Sequence, residues 1–166
     1  MRTLQTAAPA LAMVLLAASG SRADPCKSID TSIETQFAFT ECSSPVGVCT
    51  TGTVESGRLA GTTTFTALTM VPGPQPDTIL YTGVITINTK TGSVTLRDYG
   101  ILNAATGDYF EVQQVVDGTR AFKHVTGTLT SRGMATGTGF SGNLIGARST
   151  GPSSCASGPP RSVRGR

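Results

Sequence analysis

From Ile33 onward the chain alternates runs rich in Thr, Val, Ile, Phe and Tyr with clusters of Gly, Pro, Asn and Asp. Such alternation is the grammar of short strands and tight turns. About eight runs stand out, near Ile33–Thr40, Val48–Val54, Arg58–Met70, Thr78–Thr89, Ser93–Tyr99, Tyr109–Val116, Val125–Thr130 and Ala135–Ile145. Within them a period of two is visible. Ile79, Tyr81, Ile85 and Ile87 fall on one face, with Thr82, Thr86 and Asn88 on the other, and Phe110, Val112 and Val116 share a face opposite Tyr109, Glu111 and Gln113. The segment 71–77 carries Pro72, Pro74 and Pro76 and cannot continue a strand. The segments 88–92, 103–108 and 117–120 read as loops. Apolar positions show no convincing helical period over a dozen residues.

So many short antiparallel strands must cover or pair their edges, by closing into a barrel or stacking as two sheets. Gly61, Gly83, Gly127, Gly137, Gly139 and Gly142 lie in or beside the runs. Glycine there permits the sharp bends and close packing of a small closed sheet. The expectation is an all-β chain forming one closed antiparallel barrel of about eight strands. A β-sandwich is the alternative, but the immunoglobulin type carries a core Trp, and this chain has none.

Composition agrees with that picture and narrows it. The 166 residues hold at most one domain. Only 14% are charged, which excludes a charged disordered polymer, and 20 glycines with abundant Thr exclude a helical bundle. Residues 1–23 read as a secretory signal: Arg2, a short apolar run from Ala7 to Ala18, then Ser21-Arg22-Ala23 as a cleavage site. That run is too short to span a membrane, and Asp24-Pro25 before Cys26 argues against a lipid anchor. Residues 24–147 are then the folded domain and 148–166 an Arg-, Pro-, Ser- and Gly-rich tail. The formal charge of +3 divides accordingly: Arg2 and Arg22 belong to the leader and four arginines to the tail, leaving a mildly acidic domain. No argument for a nucleic-acid partner survives, and the tail has no aromatic side chain to stack a base.

Four cysteines in an exported chain read as two disulfides. Of the three pairings, Cys42–Cys49 would close the turn-like insert 43–48 and Cys26–Cys155 would tie the chain ends together. No two cysteines have zinc-ligand spacing and His124 is the only histidine, so no metal site is expected. A secreted or periplasmic location follows from the leader and the cysteines together.

The phrases Val94-Thr95-Leu96-Arg97-Asp98-Tyr99-Gly100, Ala105-Thr106-Gly107-Asp108-Tyr109-Phe110-Glu111 and the run from Val115 to Gly127 resemble the allene oxide cyclase/dirigent barrel superfamily. They are most similar to its secreted bacterial members of uncharacterised activity. The likeness covers roughly Arg58 to Ile145, with Asp117 and Arg120 standing where glycines are usual. It implies an eight-stranded barrel with a central cavity that binds, guides or cyclises a hydrophobic small molecule through its shape. Dimers and trimers both occur among such proteins, which leaves a homo-oligomer open. The plant enzymes' catalytic residues map onto no motif here.

Candidate chemistry is sparse. Gly137-Thr138-Gly139-Phe140-Ser141-Gly142 spells G-x-G-x-x-G, yet no helix can follow it to hold a phosphate, so it reads as a strand. Ser141 in G-x-S-G lacks the setting of a hydrolase elbow. His124, the only base for a triad, sits beside Lys123 near a loop. Carboxylates can act without histidine. Asp98 follows Val94 and Leu96 at period two, which makes it either a carboxylate inside the barrel or a cap on the Tyr99-Gly100 turn. Glu111 is the second acidic candidate. Tyr81, Tyr99 and Tyr109 offer apolar bodies with hydrogen-bonding tips, suited to a small ligand. No cofactor is implied. Three readings stand side by side: a ligand-binding barrel, a cyclase or isomerase of the same shape, and an interaction module whose barrel is filled by its own side chains.

Overall fold

The computed structural model describes residues 26–149. The expected signal segment 1–23, Cys155 and nearly all of the expected tail lie outside them. Eight strands run in chain order: β1 (Lys27–Phe37), β2 (Cys49–Val54), β3 (Gly61–Pro72), β4 (Thr78–Thr89), β5 (Gly92–Asn103), β6 (Asp108–Gly118), β7 (Thr126–Ala135) and β8 (Gly139–Ser149). Each pairs antiparallel with its neighbour in sequence and β8 pairs with β1, so the sheet is a closed barrel without edges.

The strands follow the order of the sequence runs but differ in their bounds: β1 begins at Lys27 and not at Ile33, β5 runs on to Asn103 and β7 to Ala135. Residues 57–59 form a 3-10 turn instead of opening β3. The expected run Ala135–Ile145 contains the end of β7, a hairpin at 136–138 and the start of β8. β8 also continues through Arg148 and Ser149, residues read from composition as tail. Two register irregularities bend the sheet, at Ala67/Thr69 on β3 and at Thr95/Leu96 opposite β6.

The two ends of the barrel differ. At one end the 3-10 turns 57–59 and 120–122 insert Leu59 and Phe122, which pack onto Ile33, Val54, Ile87, Val94, Leu96, Leu129 and Leu144. This half is a dry apolar plug, with Ile87, Leu96 and Leu144 fully shielded from solvent. At the other end lie the loops 38–48, 73–77, 104–107 and 136–138. The Cys42–Cys49 disulfide closes the first of these, with Cα atoms 5.6 Å apart. Cys26 is also disulfide-bonded; its expected partner, Cys155, is outside the described residues. An intramolecular disulfide is typical of proteins outside the cytoplasm. No helix among the described residues is long and apolar enough to cross a membrane.

Candidate functional site

In the open half of the barrel the inward face changes from aliphatic to polar and aromatic. On β5 the inward sequence is Val94, Leu96, Asp98, so Asp98 stands where the plug ends, with 1% of its surface exposed. It lies in mid-strand between Leu96 and Gly100, which removes the expected alternative of a turn cap. On β6 the polar alternates Tyr109, Glu111 and Gln113 face inward, while Phe110 and Val112 face solvent. The apolar stripe of this strand is therefore on the outside, inverting the usual pattern of a soluble sheet.

Glycines shape the space. The ring of Phe65 occupies the volume a side chain at Gly83 would need, Tyr81 does so at Gly100, and Tyr109 at Gly142. At Gly83 and Gly100 the bare backbone lets the ring lie across the neighbouring strand, and at Gly142 it makes room for the Tyr109 hydroxyl from two strands away. Phe65 meets Tyr81 edge to face at 6.4 Å, and Tyr109 meets Phe140 edge to face at 5.4 Å. These four rings, with Thr35, Thr50, Ile33 and Ile85, wall a cavity whose floor holds Asp98, Glu111 and Ser131. Its enclosed volume is about 40 Å³, room for one or two waters or a small functional group.

The hydrogen bonding on that floor is uneven. Tyr81 Oη donates to Glu111 Oε1 at 2.8 Å, and Gln113 Nε2 donates to Glu111 Oε2 at 3.0 Å. Tyr109 and Ser131 join their hydroxyls at 3.2 Å. Among the described residues no donor is well aligned with either carboxylate oxygen of Asp98, which meets Glu111 and the Tyr99 backbone, nor with Gln113 Oε1. Buried acceptors without donors are costly, and ionising them is costlier. Burial first, and then the neighbouring Glu111 charge, push Asp98 from the ordinary 3.8 up to about 9. Two acceptor-only carboxylates cannot bond each other, but a proton on one makes it a donor to the other. Burial pushes Glu111 up as well, against the Tyr81, Asp98, Ser131 and Gln113 bonds that favour its charged form. The pair titrates as a unit and holds a proton at neutral pH. Burial and the Glu111 charge also raise Tyr81, and burial pushes Tyr109 up to about 12. The floor is thus a hydrogen-bond donor in a low-dielectric pocket, a setting in which a carboxyl group acts as a general acid.

Of the residues singled out in the sequence, Asp98, Glu111, Tyr81 and Tyr109 meet at this site. Tyr99 does not. It is 47% exposed and sits on the outer face, because it neighbours an inward Asp98 on the same strand. Phe65, Phe140, Gln113 and Ser131 were not anticipated. Gln113 carried a signal, since it alternates with Tyr109 and Glu111; the two phenylalanines carried none. No cluster of His, Cys, Asp and Glu able to hold a metal ion occurs among the described residues. No protein-family model, curated protein or solved structure matches the chain.

Proposed function

We propose that the open end of the barrel binds a small, largely apolar molecule by an acceptor oxygen, which takes the proton held by Asp98 and Glu111. The observation that carries this reading is Asp98 itself: a carboxyl group 1% exposed, set against the second buried acid Glu111 with no well-aligned donor among the described residues, on the floor of an aromatic-walled cavity. A site that is only structural gains nothing from two buried acids that must share a proton, whereas a ligand's acceptor oxygen gives that proton a further partner. The enclosed volume admits the oxygen-bearing end of a ligand, and the remainder rests among Phe65, Tyr81, Tyr109 and Phe140 at the mouth. The reading takes the protein to be exported and related to the allene oxide cyclase/dirigent barrels. In support stand the turn phrases of β5 and β6, the disulfide and the apolar leader-like sequence of residues 1–23.

The same proton supplies acid assistance to a cyclisation or isomerisation. Partial protonation of a carbonyl or ether oxygen in a dry pocket, with the carbon skeleton held in one conformer, lowers the barrier to both. The smallness of the enclosed volume favours a second reading, an extracytoplasmic interaction module whose barrel is essentially filled.

Native mass spectrometry of the exported protein separates these readings. A co-purifying small molecule that is lost in Asp98→Asn, while the variant keeps its β-sheet circular dichroism, is the result expected for a binding barrel. A protein that carries nothing, and does not respond to a panel of apolar ketones and ethers, belongs to the filled-barrel reading. Turnover of a bound compound that ceases in Asp98→Asn identifies the isomerase.

A further inference from the structure

The plugged end of the barrel carries a buried cation. Arg148, near the end of β8, is 3% exposed, and among the described residues none of its three guanidinium nitrogens has a hydrogen-bond acceptor. The ring of Phe122 lies beneath it, with its centroid 5.9 Å from the guanidinium carbon. Guanidinium groups buried this far are ordinarily held by carboxylates or carbonyls in a planar fork. Here the neighbouring charge is another cation: burial, then Arg58, lower the tendency of Arg148 to stay protonated. Both arginines line a cavity of about 420 Å³ between the two 3-10 turns. Lys90, Thr89, Thr91 and Phe122 complete its polar and aromatic wall, and no carboxylate of the described residues lines it. A second cavity of about 330 Å³ on the other side of Arg58 and Arg148 adds Lys27 and, at its exposed rim, Asp30. Outside residues 26–149 the chain contains one acidic side chain, Asp24.

We propose that this cavity is an anion site for a phosphate group, free or as a small ester. Two guanidinium groups and an ammonium group supply the charge a phosphate dianion requires. The five N–H donors of each arginine suit its oxygens, and the Thr89 and Thr91 hydroxyls offer further contacts. Such a ligand supplies the acceptors that Arg148 lacks and screens it from Arg58. The site lies at the opposite end from the Asp98 pocket and is independent of it.

The test is thermal unfolding and ³¹P line broadening of the exported protein with inorganic phosphate, against chloride at matched ionic strength, with methyl phosphate as a second arm. Phosphate is expected to raise the melting temperature saturably. Arg148→Met should weaken the apparent affinity about tenfold or more, Arg58→Gln and Lys90→Gln should weaken it less, and the exposed Arg97→Gln should leave it unchanged. Should Arg148→Met fail to fold, the Arg58 and Lys90 variants against Arg97→Gln decide the matter alone. Binding of inorganic phosphate but not methyl phosphate assigns a free ion, and equal binding assigns an ester. Absence of a saturable effect, an equal loss in Arg97→Gln, or an effect that emerges only in Asp24→Asn overturns the proposal, the last because the occupant is then the chain's own carboxylate.

Discussion

The ring of Tyr81 lies across Gly100, its direct partner on the adjacent strand, and any side chain at Gly100 would overlap that ring. The missing β-carbon therefore places the Tyr81 hydroxyl 2.8 Å from Glu111, two strands away. Gly100→Ala should force the buried ring aside and destabilise the protein by about 1–3 kcal/mol, as overpacked cores do. Because the cost is a clash between two side chains, it should largely vanish when Tyr81 is also shortened. Denaturant unfolding of Gly100→Ala, Tyr81→Ala and the double variant measures the coupling. Additive costs would show that Gly100 serves the backbone and not the ring.

The Asp98–Glu111 pair ties stability to pH. Asp98 is raised from 3.8 to about 9 in the folded protein. Between those values the folded state holds a proton that the unfolded chain has released. Stability conferred by that proton is complete below about pH 4 and falls as pH rises towards 9. For one proton the slope is about 1.4 kcal/mol per pH unit. Melting temperatures measured from pH 4 to 9 should therefore fall more steeply for the wild type than for Asp98→Asn. Parallel curves would mean that Asp98 is ionised in the fold.

Much of the barrel was legible in the sequence because strand propensity and turn chemistry agree along it. Thr-Val-Ile runs end at Pro72, at Gly92 and at the 104–107 turn, and the order of runs is the order of strands. The site was half legible. Asp98 and Glu111 could be named from alternation with their neighbours, but which face of β6 turns inward could not. There the apolar alternates Phe110 and Val112 look outward, so hydrophobicity points the wrong way. The same ambiguity put Tyr99 among the ligand candidates. Phe65 reaches the pocket because Gly83 on the neighbouring strand makes way, a relation between strands that no single run displays. Arg148 was grouped with the tail because composition there resembles a linker, whereas pairing with Lys27 carries β8 through it.

The loop that closes on Cys42 and Cys49 sits beside the pocket mouth and is tied down further by Ser44, whose hydroxyl donates to Ala67 O at 2.6 Å. Replacing both cysteines by Ala should cost about 2–3 kcal/mol through the freed loop of the unfolded chain. Calorimetry should show that loss, while the plug residues keep their amide-exchange protection. Loss of protection at Leu96 and Leu144 would mean that the disulfide supports the whole barrel and not its open end alone.

The plug and the pocket should respond oppositely to truncation. Leu144 is fully buried among aliphatic neighbours, so Leu144→Ala should destabilise by about 2–5 kcal/mol. Asp98 is as deeply buried, yet its carboxyl group faces a second acid, Glu111, and must take up a proton to be tolerated at neutral pH. Asp98→Asn keeps the shape, removes the ionisation and offers Glu111 an N–H donor. It should therefore raise stability at pH 7 by at least about 1 kcal/mol, the sign expected when a residue is kept for a task and not for the fold. Urea midpoints for the two variants at pH 7 settle the point. A destabilised Asp98→Asn would make the carboxyl group a structural element of the barrel and remove the basis for a donor site there.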